Sequence, residues 1–91
     1  MPHKLVYPES YIRRARKFLN KHPEIHKQYR KTLQLLELNP YHPSLRLHKL
    51  QGRLDGLSSV SINISYRIVI ELVIEGNEIL LVNIGKHDRL Y

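Results

Sequence analysis

The polarity pattern of this chain changes period once, near Ser59. Upstream of it, Ile12, Ala15 and Leu19 recur at helical spacing with Phe18 on the flank of the stripe, as in a helix with one buried face. Arg13, Arg14, Arg16, Lys17 and Lys21 take the opposite face. His22-Pro23 interrupts the pattern, and Pro23 suits the first turn of a second helix. That helix carries Ile25, Tyr29, Leu33 and Leu36 on one side and Lys27, Arg30 and Lys31 on the other, and Asn39-Pro40 stops it. Leu5-Val6-Tyr7 reads as a short strand ahead of both, closed by Pro8. The predicted product is a helical hairpin, apolar on one side and basic on the other.

Pro43, Gly52 and Gly56 punctuate the stretch from Tyr41 to Leu57, which reads as a short strand over Leu45 to Leu50 and then a loop. From Ser59 the period is two. Val60, Ile62, Ile64, Tyr66, Ile68, Ile70 and Leu72 fall on one face, and Ser59, Ser61, Asn63, Ser65 and Arg67 on the other, which predicts one long half-buried antiparallel strand. Gly76-Asn77 is a hairpin signal, and Glu78 to Ile84 returns. A two-residue loop there would set Ile70 against Asn83. A three-residue loop with a bulge sets Ile70 against Ile84 and Leu72 against Val82, and register follows the buried face. The second register is therefore expected, with Arg67 directly across from His87. With no internal repeat or linker, residues 1–91 are expected to form one α+β domain: an N-terminal strand and a helical hairpin packed on a small antiparallel sheet.

Composition narrows the partner. The chain has formal net charge +7, with 42% hydrophobic and 25% charged residues, so it is globular and its natural partner is expected to be acidic. With no cysteine, disulfides, thiolate metal sites and cysteine nucleophiles are excluded. Neither a signal peptide nor the roughly 18 apolar residues of a membrane span is recognisable, so a cytoplasmic protein without a membrane partner is expected.

The candidate chemistry follows the last strand, in Gly85-Lys86-His87-Asp88-Arg89-Leu90-Tyr91. The His87 imidazole can move protons near neutral pH, Lys86 can hold a phosphate, and Tyr91 can stack on a base. Arg67, on the polar face of its strand, either pairs with Glu71 or Asp88 or binds a phosphate bidentately and stabilises developing charge. His48 is a second proton-transfer candidate or a strand-end surface histidine. Lys49, Arg46 and Arg53 are phosphate contacts or solvated charges. His22 and His26 are four apart but lack the glutamate placement of a zincin helix, so no metal or cofactor is expected.

The runs His48-Lys49-Leu50-Gln51-Gly52-Arg53-Leu54-Asp55-Gly56, Tyr66-Arg67-Ile68-Val69-Ile70 and Ile84 to Tyr91, in this order, resemble the RelE/ParE superfamily of type II toxins, nearest its RelE/YafQ-like branch. The resemblance spans essentially the whole chain and implies a β-α-α-β-β-β fold. It also implies a toxin that cleaves mRNA in the ribosomal A site, without metal, and is neutralised by an acidic antitoxin. By position it gives His87 the branch's C-terminal histidine, Arg67 the arginine of the strand motif and Tyr91 the terminal aromatic. His48 and Lys49 match a variable polar segment. Where the branch often has a histidine and an acidic residue, this chain has Ser61-Ile62-Asn63-Ile64-Ser65, which leaves the general base open. ParE-like relatives share the fold but inhibit DNA gyrase, and a non-catalytic RNA-binding module is a third reading. Nine of the fifteen Lys and Arg fall within residues 1–34 against only Glu9 and Glu24. Arg13, Arg16, Lys17, Lys27, Arg30 and Lys31 are therefore expected to form a ribosome-binding face.

Overall fold

A computed structural model describes residues 2–90. The chain runs β1 (Lys4–Val6), α1 (Glu9–Lys21), α2 (His26–Leu38), β2 (His48–Lys49), β3 (Ser58–Ser61), β4 (Tyr66–Val73), β5 (Glu78–Lys86) and α3 (His87–Leu90). Short 3₁₀ turns at Pro23–Ile25, Pro43–Leu45 and Gly52–Leu54 join them. The strands form one sheet in the order β1-β5-β4-β3-β2. Four run antiparallel to their neighbours, and β1 joins β5 in parallel, delivered there by the two helices. The α+β order is the expected one.

The helical hairpin lies on the sheet face formed by Val60, Ile68, Ile70, Ile79, Leu81 and Ile84, all buried. The α1 stripe is rotated from the predicted one. Tyr11 and Ala15 are buried, whereas Ile12 is 38% exposed. The reason is polar: the Tyr11 hydroxyl meets the Tyr29 hydroxyl of α2 at 2.8 Å inside the core. A tyrosine can be buried once its hydroxyl has a partner. Burial, and then the facing Tyr29, push the Tyr11 pKa up, and burial pushes that of Tyr29 up.

The predicted long strand from Ser59 to Leu72 is two strands folded back on each other at residues 62–65. Asn63 makes the reversal. Its Oδ1 accepts from the Ser65 and Tyr66 backbone N–H groups at 2.8 and 3.0 Å, and its Nδ2 donates to Gln28 Oε1 on α2 at 3.0 Å. A short side chain satisfying the backbone locally competes with the ladder and wins at a turn. Ile64, expected on the buried face, sits at the tip and is 95% exposed. Asn63→Ala should lower stability by about 1–3 kcal/mol, read as a shifted urea midpoint with unchanged slope. A shift below about 0.5 kcal/mol would mean that the backbone bonds alone hold the turn.

The expected strand over Leu45 to Leu50 shrinks to His48–Lys49, because Pro43–Leu45 is a 3₁₀ turn and Arg46 takes a left-handed conformation (φ 49°). The β4–β5 register also differs from the expected one. The loop has four residues, 74–77, with Gly76 at φ 90° and Asn77 at φ 52°. Ile70 then pairs with Leu81 and Leu72 with Ile79. A bulge restores the apolar match further along, where Ile68 pairs with Ile84 and Val82 is the extra residue. Arg14 on α1 donates to the Val82 carbonyl at 3.3 Å.

Candidate functional site

Arg67 lies across from Ser61 on one side and Gly85 on the other, not across from His87 as expected. His87 opens α3 beyond the end of β5, and its backbone N–H donates to the Ser65 carbonyl at 3.1 Å. That bond continues the Arg67–Gly85 register by two residues, so Arg67 and His87 are diagonal neighbours at the end of the β4–β5 ladder. Asp88 and Arg89 follow His87 in this exposed turn, and Tyr91 lies outside the described residues.

The Arg67 guanidinium is held by three bonds. Nε donates to Ser59 Oγ at 2.9 Å, and Nη2 donates to the Arg46 carbonyl at 2.8 Å and the Ser59 carbonyl at 3.3 Å. Ser59 is fully buried, so this anchor is fixed from below. The left-handed turn at Arg46 is what aims its carbonyl at the guanidinium. Of the two pairings left open for Arg67, with Glu71 or with Asp88, neither occurs, and among the described residues no carboxylate pairs with it. Nη1 is left to donate elsewhere.

Pairing parity sorts the remaining candidates. His48 pairs with Ser59, so it projects on the Arg67 face, whereas Lys49 pairs with Ser58 in the row of Ile70 and belongs to the other face. They meet again at the sheet edge, where His48, Lys49, Gln51 and Arg53 line a cavity of about 350 Å³ with Leu50 and Leu54. The Arg46 side chain is exposed beside them. Lys86 ends β5 opposite Tyr66, on the other side of the molecule from β2. The structure therefore brings Arg67 and His48 together around Ser59, sets His87 at the adjacent ladder end, and keeps Lys49 and Arg53 at one sheet edge. Arg13, Arg16, Lys17, Lys27, Arg30 and Lys31 are all exposed on α1 and α2.

Two parts of the site carry little or no signature in the sequence. Ser59, the seat of Arg67, shares its polar face in the period-two pattern, and that is its signal. The Arg46 carbonyl had no signal, since a left-handed arginine is not a residue-type preference. Among the described residues, no three histidine or acidic side chains gather to hold a metal, and no helix is long and apolar enough to cross a membrane.

No protein-family model and no curated protein sequence matches the chain. Solved structures do. YafQ from Escherichia coli BL21(DE3) superposes with a TM-score of 0.79 at 15% identity, covering 98% of this chain and 98% of that one. YafQ in the E. coli DinJ–YafQ toxin–antitoxin complex gives 0.77 at 18% identity, over 100% of this chain and 99% of that one. A YoeB/ParE toxin from Agrobacterium tumefaciens gives 0.73 at 16% identity, over 92% and 98%. The chain has the RelE-like fold of these toxins in its YafQ-like form.

Proposed function

We propose that this protein is the toxin of a type II toxin–antitoxin pair and a ribosome-dependent mRNA endonuclease. One observation carries the reading: a guanidinium pinned by Ser59 and Arg46, with no carboxylate partner among the described residues, shares its sheet face with one histidine and its ladder end with another. A buried-anchored arginine with spare donors suits a phosphate, because its fork is pre-organised before the substrate arrives. The full-length likeness to toxin structures supports the same reading.

The reaction is phosphoryl transfer within the RNA. The 2′-oxygen forms a bond to the adjacent phosphorus, and the bond from phosphorus to the 5′-oxygen breaks, leaving a 2′,3′-cyclic phosphate and a 5′-hydroxyl. Protonated His87, at the ladder end beside Arg67, gives a proton to the departing 5′-oxygen, and a base takes the 2′-hydroxyl proton. His48, three strands away on β2, is too far from His87 to flank the same phosphorus. Nη1 of Arg67 faces the negative charge that builds on the phosphorane. Lys49, Arg46, Arg53 and Lys86 hold flanking phosphates, and Tyr91 stacks on a base. In the cytoplasm an acidic antitoxin neutralises the +7 chain, as DinJ accompanies YafQ in its complex.

The deciding experiment adds purified protein to a translation reaction and maps mRNA ends by primer extension, with a gyrase supercoiling assay alongside. Cuts phased to codons are expected. Gyrase inhibition without cuts would select the ParE-like reading, and neither effect would leave a non-catalytic RNA-binding module.

The basic helix faces deliver the toxin to the ribosome. Reversing Arg13, Arg16 and Lys17 to glutamate should weaken ribosome association and flatten its salt dependence, since each phosphate contact contributes about 0.7–0.9 to the salt slope. The codon pattern of residual cleavage should not change, because phosphate contacts position and do not specify. Wild-type ribosome binding together with lost antitoxin binding would assign this face to neutralisation.

A further inference from the structure

A second concave surface lies at the other end of the candidate site. Between the end of α1 and α3, a cavity of about 450 Å³ is lined by Phe18 and Lys21 of α1 with His22 just after it, by Tyr66, by residues 83–86 of β5, and by Arg89 and Leu90 of α3. Its volume is that of a small-molecule site, within about 300–1,000 Å³. Three rings form its wall. Phe18 and His22 have centroids 4.5 Å apart, Tyr66 meets Phe18 edge-on at 5.3 Å, and His22 and Tyr66 are 4.9 Å apart. Three cations, Lys21, Lys86 and Arg89, stand at the rim, exposed, and among the described residues none has a carboxylate partner. The floor is shaped by Gly85: Leu90 lies 3.4 Å from where a Cβ would sit, so α3 folds back closely over β5.

We propose that this cavity is a nucleotide subsite for single-stranded RNA, with the base against the Phe18–His22–Tyr66 wall and the phosphate between Lys21, Lys86 and Arg89. Rings beside cations are how sequence-tolerant single-strand sites are built, because every base has a π-face and every linkage a charge. Two polar groups can meet the edge of a base. Asn83 uses Oδ1 on the Ile84 N–H and leaves its Nδ2 donors for a base edge. His22 engages Glu24 and Tyr66 through Nδ1, at 3.4 and 3.3 Å, and leaves Nε2 for the same purpose. A peptide carboxylate could accept from the same donors, so it is the wall of three rings, against which a base can stack, that favours a nucleotide. The α1 C-terminus does not oppose the phosphate strongly, since the Leu19 carbonyl already accepts from the His22 N–H and contacts His26 Nε2.

The position fits a continuous strand. Gly85 pairs with Arg67, Lys86 with Tyr66, and His87 follows at once, so RNA leaving the candidate scissile position around this end of the sheet enters the cavity. The subsite thus rests on the nuclease reading and names where the substrate continues.

Binding of a labelled hexanucleotide RNA, 2′-O-methylated throughout so that it cannot be cut, tests it by fluorescence anisotropy. Lys21→Ala and Arg89→Ala should each weaken binding about tenfold and lower the salt slope by about 0.7. Phe18→Leu, which keeps an apolar side chain but removes the ring, should weaken it about tenfold with little change in slope. Lys4→Ala, distant on β1, is the charge control and should change binding less than twofold. Lys21 and Arg89 are exposed, so their variants remain informative if Phe18→Leu fails to fold. Wild-type mRNA cleavage is measured in parallel. If the wild type cuts mRNA while Lys21→Ala and Arg89→Ala bind the hexanucleotide no worse than Lys4→Ala, the subsite is wrong and the nuclease reading stands. If the wild type cuts nothing yet binds RNA through Lys21 and Arg89, the subsite stands without the nuclease. Loss of binding to an acidic peptide, and not to RNA, in both variants would overturn the subsite in favour of a protein-docking site.

Discussion

His87→Gln is expected to reduce cleavage of ribosome-bound mRNA by about 10²–10⁴-fold while leaving the protein folded. The residue is exposed, and glutamine retains its backbone bond to Ser65. Glutamine can still hydrogen-bond the departing oxygen but cannot give it a proton near neutral pH. Single-turnover primer extension reads the rate of cleavage, and the urea midpoint reads the fold. Wild-type rates from folded His87→Gln would mean that the proton comes from solvent or another side chain.

The helices, their basic faces and the hairpin at Gly76-Asn77 were legible because each rests on local rules: period, proline breaks and turn residues. Tertiary choices were not legible. The α1 stripe moved from Ile12 to Tyr11 because a hydroxyl partner on α2 is invisible in a one-dimensional pattern. The period-two run from Ser59 to Leu72 held no glycine or proline, so nothing broke it on paper. In three dimensions Asn63 broke it by capping two backbone N–H groups and reaching Gln28. A strand of that length would also have carried Ile64 away from any helix able to cover it.

The register error has a different origin. Matching apolar with apolar was the right criterion, but more than one arrangement meets it, depending on where the extra residue goes. An extra residue in the turn puts Arg67 across from His87. The four-residue loop at 74–77 together with an extra residue at Val82, inside β5, puts Arg67 across from Gly85 and carries His87 two residues past it. The second solution is supported from outside the sheet by Arg14, whose donor takes the Val82 carbonyl. The Arg67–His87 proximity read from sequence thus survives as a diagonal relation, and Ser59 becomes the residue that His48 and Arg67 share.

Arg67→Ala should reduce cleavage by about 10²–10³-fold, and it should also destabilise the fold. Ser59 Oγ, fully buried, loses the Arg67 donor, and so does the Arg46 carbonyl, at a cost of about 1–3 kcal/mol. Two effects in one variant need two further variants to separate them. Ser59→Ala removes the anchor of Nε but keeps the guanidinium and its charge, so it should lose stability while retaining more activity than Arg67→Ala. Arg67→Lys keeps the charge but lacks the planar fork, and one ammonium cannot serve Ser59, the Arg46 carbonyl and a phosphate together. Its rate should therefore stay well below wild type. Guanidinium added to folded Arg67→Ala should restore part of the rate if Arg67 faces the phosphorane. If guanidinium restores nothing, and the losses in all three variants track their unfolding midpoints, Arg67 only positions the Arg46 turn and another cation must face the phosphate.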